Sequence, residues 1–187
     1  MIAIIRYGAG NVSSVQCALE RIQAPSVITD DPKTIREATH IIFPGVGEAS
    51  TAMGHLKASG LESVIKECRR PFLGICLGMQ LMCRYSEENS TDCIGIFNTD
   101  VGLINGNNMY KVPHMGWNSI EPAQDALFES IPDGEMFYFV HSYAVPLQGG
   151  TIASCDYADM SFSAAIRHKN FVGVQFHPEK SGSAGSR

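Results

Sequence analysis

Four times in its first 76 residues the chain drives a short apolar run into a turn and then toward a segment with helical spacing. Residues 1–7, the run ending near Asp30, residues 40–43 and residues 72–75 read as buried strands. Helical periodicity follows: Val12, Val15, Leu19 and Ile22 share one face, as do Ala52, Met53 and Leu56, and then Leu61, Val64, Ile65 and Cys68. Parallel neighbours need crossover connections, and those connections are right-handed, so such repetition leaves few architectures open. The expected fold is α/β, with a mostly parallel twisted central sheet and flanking helices. In sheets of this kind ligands gather at the carboxyl ends of the strands.

Beyond Tyr85 the pattern changes to a β-rich half. Strands are expected over 94–104, 109–112, 136–140, 151–156, 162–167 and 171–176, with turns at 105–108 and 148–150. At 187 residues and 44% hydrophobic the chain suits one domain, residues 1–187, with a core shared by both halves. The net charge of -5 and scattered Lys and Arg residues argue against a nucleic-acid partner. No apolar run approaches the roughly 20 residues that cross a bilayer, so no membrane role is expected. Six cysteines show neither a CxxC pair nor zinc-ligand spacing, which suits reduced thiols in the cytoplasm and no metal.

Within 71–85, Gly74 and Gly78 flank Cys76 at two residues on either side, where a sharp strand-to-helix turn would expose the middle side chain and crowd its neighbours. A cysteine there sits at a helix N-terminus, whose partial positive charge favours thiolate. The same pentapeptide also suits a packed core cysteine, so a base from elsewhere in the chain must decide. His177 is the candidate, because the buried-strand pattern of 172–176 ends in His177, Pro178 and Glu179. In an extended segment, positions 177 and 179 point the same way, so an imidazole can take the thiol proton while the carboxylate orients it. The N–H of Leu77 and one from the 45–47 loop would serve an oxyanion. Together these parts describe an acyl-transfer site.

A rival reading rests on Gly8, Gly10 and Asp30, which are spaced like a dinucleotide fingerprint and its ribose-binding acid. The third glycine of that fingerprint is Ser13, and Asp30, Asp31 and Pro32 read equally well as a helix start. No cofactor is expected.

GICLGMQ at 74–80, PGVG at 44–47 and FHPEKS at 176–181 together resemble the class I, triad-type glutamine amidotransferases. YGAGN at 7–11, KVPHMGWN at 111–118 and VHSY at 140–143 make the chain most similar to one branch, the glutaminase subunits of imidazole glycerol phosphate synthases. The resemblance implies that Cys76 attacks the side-chain amide of L-glutamine, His177 is the general base and acid, and Glu179 orients it. It further implies that Val46 and Gly47 belong to the oxyanion strand and that Gly47, Gln80, Ser142 and Tyr143 hold the substrate. Ammonia would pass to a (β/α)8-barrel cyclase in a heterodimer, which converts PRFAR to imidazole glycerol phosphate and AICAR in histidine biosynthesis. Asn11, His114, Met115 and Trp117 would lie at that interface. A glutaminase feeding another synthase, for instance in a surface-sugar pathway, is the alternative acceptor. The family usually continues from FHPEKS into an apolar helix, whereas 180–187 is small and polar and is expected to be poorly ordered.

Overall fold

The computed structural model describes residues 1–8, 10–106, 109–122 and 125–187. The chain begins β1 Ile2–Ile5, α1 Val12–Arg21, β2 Ser26–Thr29, α2 Pro32–Glu37, β3 His40–Gly45, α3 Ala49–Ser59, α4 Leu61–Lys66, β4 Phe72–Cys76 and α5 Leu77–Leu81. Local chemistry sets the boundaries. Asn11 caps α1 by accepting from the Ser14 N–H, Asp31 caps α2 ahead of Pro32, and Glu48 caps α3, which Gly60 ends in a left-handed conformation.

The second half adds β5 Tyr85–Ser86, β6 Thr91–Asp92, β7 Asp100–Leu103, β8 His114–Ser119, β9 Glu121–Pro122, β10 Met136–His141, β11 Tyr143–Ala144, β12 Thr151–Tyr157, β13 Met160–His168 and β14 Phe171–Val174. The main sheet runs β2-β1-β3-β4-β14-β13-β12-β9. Its first five strands are parallel and the last three antiparallel, so the expected mostly parallel sheet with a β-rich half is what forms. Two apolar clusters lie on its faces, one built around Phe43, Met79 and Phe171 and the other around Phe137, Phe139 and Phe162. Both draw on both halves of the chain. No helix among the described residues is long and apolar enough to cross a membrane.

Three segments depart from the periodicity. Residues 94–97 are not strand: the N–H groups of Ile94, Gly95 and Ile96 donate to the carbonyls of Leu81, Cys83 and Met82, which satisfies the end of α5. Their apolar spacing belongs to that packing, and only β7 remains of the expected 94–104 strand. The strand read over 109–112 is also absent, and Tyr110 instead meets the ring of Tyr157 edge-on. The turn expected at 105–108 lies partly outside the described residues.

The segment 180–187 was expected to be poorly ordered and instead folds back as a short helix, α6 Gly182–Ser186, with Ala184 buried in the second cluster. The small side chains that argued for disorder also allow close approach: a Cβ on Gly185 would collide with the Pro178 carbonyl.

Candidate active site

β4 delivers Cys76 to the carboxyl edge of the sheet, between β3 and β14. Cys76 stands at φ 53, ψ −111, a strained conformation for a residue with a Cβ, and α5 starts immediately after it. Such a turn needs room behind it. Gly78 provides that room, since a Cβ there would collide with the Phe43 carbonyl oxygen of β3. The Cys76 Sγ lies 3.7 Å from the Val140 carbonyl, to which a thiol donates, and 3.5 Å from the Gln175 Nε2.

His177 follows β14, the strand hydrogen-bonded alongside β4, so adjacent strand ends bring base and nucleophile together. Its Nδ1 lies 2.8 Å from Glu179 Oε1, and both side chains are almost wholly buried. The extended geometry expected for 177–179 is replaced by a 3-10 turn over Pro178–Lys180, which still lets the carboxylate reach the ring. Because Glu179 engages Nδ1, the buried Nε2 is the nitrogen left for the thiol proton. Burial works to lower the His177 pKa, but the bonds and charges of Cys76 and Glu179 outweigh it and push it up to about 9. A protonated His177 imidazole is therefore favoured at neutral pH.

The His177 backbone is clamped as well. Its N–H donates to the Tyr138 carbonyl at 2.9 Å, while Ser181 Oγ donates to the His177 carbonyl at 2.7 Å and accepts from the Tyr138 N–H at 3.0 Å. Sequence reading quoted Ser181 in its motif without giving it a task; only the packing of β10 against this turn supplies one.

A cavity of about 300 Å³ opens beside Cys76. It is lined by Val46, Gly47, Leu77, Gln80, Ser142 and Tyr143, all expected, and by Glu88, Pro113, Val140 and His141, none of them anticipated. A larger hollow of about 490 Å³ among Pro122, Asp125, Phe128 and Asp133 holds no nucleophile, so the chemistry points to the smaller one. The loop beside Cys76 is tied at both ends. Tyr7 OH donates to the Pro44 carbonyl at 2.9 Å, and the Ala49 N–H donates to Glu88 Oε2 at 2.7 Å. Between these ties Gly47 sits at φ +106 with open space where a Cβ would stand. Burial raises the Glu88 pKa, with the Ala49 N–H opposing it.

β8 and β10 pair as a separate antiparallel ribbon, with His114 opposite His141 and Trp117 opposite Tyr138. Met115 is 63% exposed and Trp117 52%, whereas His114 is only 3% exposed. The expected interface role of His114 is thus corrected: strand alternation turns it inward while its neighbour and Trp117 face out. Its ring stacks between Tyr157 and Phe139 at 3.9 and 4.9 Å. Asn11 is exposed and caps α1. Asp30 is held bidentate by Arg6 at 3.0 and 3.1 Å, which occupies the carboxylate the dinucleotide reading needed. Ala9 of that turn lies outside the described residues. Cys17 is exposed on α1.

Comparison with known proteins agrees with this geometry. The family model described as glutamine amidotransferase class-I matches residues 3–187. The chain is 54% identical over 187 residues to a protein of Bacteroides fragilis (strain YCH46) named imidazole glycerol phosphate synthase subunit HisH, covering 100% of this chain and 95% of that one. It is 51% identical, with the same coverage, to the like-named protein of Bacteroides thetaiotaomicron. A crystal structure of a glutamine amidotransferase superposes with a TM-score of 0.75 at 16% identity, covering 99% of this chain and 94% of that one, a likeness of fold. The chain belongs to the class-I glutamine amidotransferase family, in its HisH branch.

Proposed function

We propose that this chain is the glutaminase subunit of an imidazole glycerol phosphate synthase, hydrolysing L-glutamine to glutamate and ammonia through Cys76, His177 and Glu179. The observation that carries the reading is the junction of a strained Cys76 with a buried His177–Glu179 pair on adjacent strand ends, beside a cavity large enough for an amino acid. The names of its relatives support the choice of synthase.

The groups divide the work as follows. The Cys76 thiolate attacks the glutamine side-chain carbonyl, and the oxyanion formed takes hydrogen bonds from the Leu77 N–H, at the first turn of α5, and from the Val46 to Gly47 segment. His177, protonated at Nε2, gives that proton to the departing nitrogen, so ammonia leaves and a thioester remains. His177 then takes a proton from water, whose oxygen attacks the thioester carbonyl, and thiolate and glutamate are released. Glu179 holds the ring and its charge throughout. In the cavity lining the Glu88 carboxylate matches the α-ammonium of an amino acid, and Gln80, Ser142 and Tyr143 line the same cavity.

Free ammonia in neutral water is mostly ammonium, which is not a nucleophile, so its use requires direct hand-over. The acceptor is a cyclase subunit with a (β/α)8 barrel, which binds the face carrying Met115 and Trp117, and Asn11 lies at the same contact. The decisive experiment measures glutamine hydrolysis with and without that cyclase and its nucleotide ligand. Hydrolysis stimulated by the cyclase and abolished in Cys76→Ala is expected; activity surviving Cys76→Ala, or indifference to the cyclase, would overturn the chemistry or the partner respectively.

A further inference from the structure

Behind the cavity wall a polar network runs through the otherwise apolar core, and its direction is set by one atom that can only accept. The Tyr143 carbonyl oxygen takes two hydrogen bonds, from Gln80 Nε2 at 2.8 Å and from His141 Nδ1 at 2.8 Å. A carbonyl has no proton to give, so Gln80 must present its amide nitrogen there. The second hydrogen of that nitrogen goes to Gln175 Oε1 at 2.9 Å. Gln175 is fully buried, and with its oxygen committed, its Nε2 is the atom that faces the Cys76 Sγ at 3.5 Å. An amide that might have turned either way is thus oriented, nitrogen toward sulfur.

The same carbonyl sets the other arm. His141 carries its hydrogen on Nδ1, which leaves Nε2 to accept from His114 Nδ1 at 3.0 Å, and His114 Nε2 accepts from Asn118 Nδ2 at 3.4 Å. Burial pushes the pKa of His141 down to about 3 and that of His114 down to about 4, so both rings stay neutral as this pattern demands. A charged His141 would set two donors against each other between the rings, and a charged His114 would do the same between its Nε2 and the Asn118 amide nitrogen.

We infer that Gln175 is a further catalytic residue, donating its amide N–H to the Cys76 thiolate, and that Gln80, the Tyr143 carbonyl, His141 and His114 are positioning groups that hold the amide in that sense. The inference rests on Cys76 being the nucleophile. A hydrogen bond to a charged acceptor is stronger than one to a neutral acceptor, so the contact favours thiolate over thiol. Were the amide reversed, its oxygen would face the sulfur and favour the protonated form. The titratable groups around Cys76 include His177, Tyr7 just beyond β1, and Glu88, His141 and Tyr143 of the cavity lining; among the groups bonded to its sulfur, the Gln175 amide is the one that donates without being able to titrate.

The test is the rate of Cys76 alkylation by iodoacetamide in the full chain between about pH 5 and 10, resolved by peptide mass spectrometry, with exposed Cys17 as internal reference. Gln175→Met keeps the length of the side chain and removes the donor; Gln175→Asn stays polar but withdraws the amide by one methylene and carries the test if the first variant fails to fold. Expected is a half-maximal pH for Cys76 alkylation moved up by about one unit, with Cys76 alkylation below that midpoint slowed relative to Cys17. A purely structural role would lower the melting temperature without moving that midpoint. Folded Gln175 variants whose Cys76 profile overlays that of the unaltered chain would overturn this inference alone, whereas glutamine hydrolysis surviving Cys76→Ala would overturn the nucleophile reading and this one with it.

Discussion

His177 is the residue where burial and chemistry oppose each other most sharply. Desolvation works against its charge, yet Cys76 and Glu179 carry its pKa from the ordinary 6.5 up to about 9. The sign of the linkage follows. A group whose folded-state pKa is raised binds its proton more tightly when folded, so its contribution to stability is fully present below about pH 6.5 and is lost as pH rises through about 9. The denaturant midpoint of the unaltered chain should therefore fall more between those limits than that of His177→Asn, and parallel profiles would refute it. At this scale the sequence was legible where a residue type carries its own chemistry. Cys76, His177 and Glu179 announce themselves by their neighbours, whereas Gln175 and Glu88 sit in unremarkable contexts and acquire a task only from what folding places beside them.

The β8–β10 ribbon shows how an element can serve two faces at once. Its inner face carries His114 and His141 into the core, and its outer face leaves Met115 and Trp117 half or more exposed. Aromatic anchors of that kind tend to dominate interface energetics. Trp117→Ala should weaken binding of the cyclase by about tenfold or more while changing the stability of the free chain by no more than about 1 kcal/mol. Titration of the cyclase against each variant, alongside thermal unfolding, checks both halves, and unchanged affinity would count against the assignment. The ribbon was hard to read from sequence for a physical reason: Gly116 and Asn118 are poor strand formers and the apolar Met115 and Trp117 lie on the outer face, so β8 carried little strand signal. Residues 94–97 failed in the opposite sense, with strand-like apolar spacing spent on closing α5.

At the scale of the whole molecule both apolar clusters draw side chains from both halves of the chain, so neither half buries its own core. Unfolding should be a single cooperative transition. The chain has one tryptophan, Trp117, on the ribbon, while far-ultraviolet circular dichroism follows the main sheet. Denaturation curves from the two probes should coincide, and a ribbon that melts before the sheet would show two folding units instead.

By itself the sequence determined the α/β architecture and singled out Cys76, His177 and Glu179 as the proposed triad, because periodicity and glycine-flanked turns are local consequences of backbone geometry. Tertiary structure alone decided which face of β8 meets solvent, why 178–180 closes as a turn, and how a single carbonyl at Tyr143 orients two glutamines and two histidines. The bonds that link Gln80 to Tyr143 and to Gln175, and His114 to His141, join residues 27 to 95 apart in the chain, where hydrogen-bond direction is set by what packing brings within 3 Å.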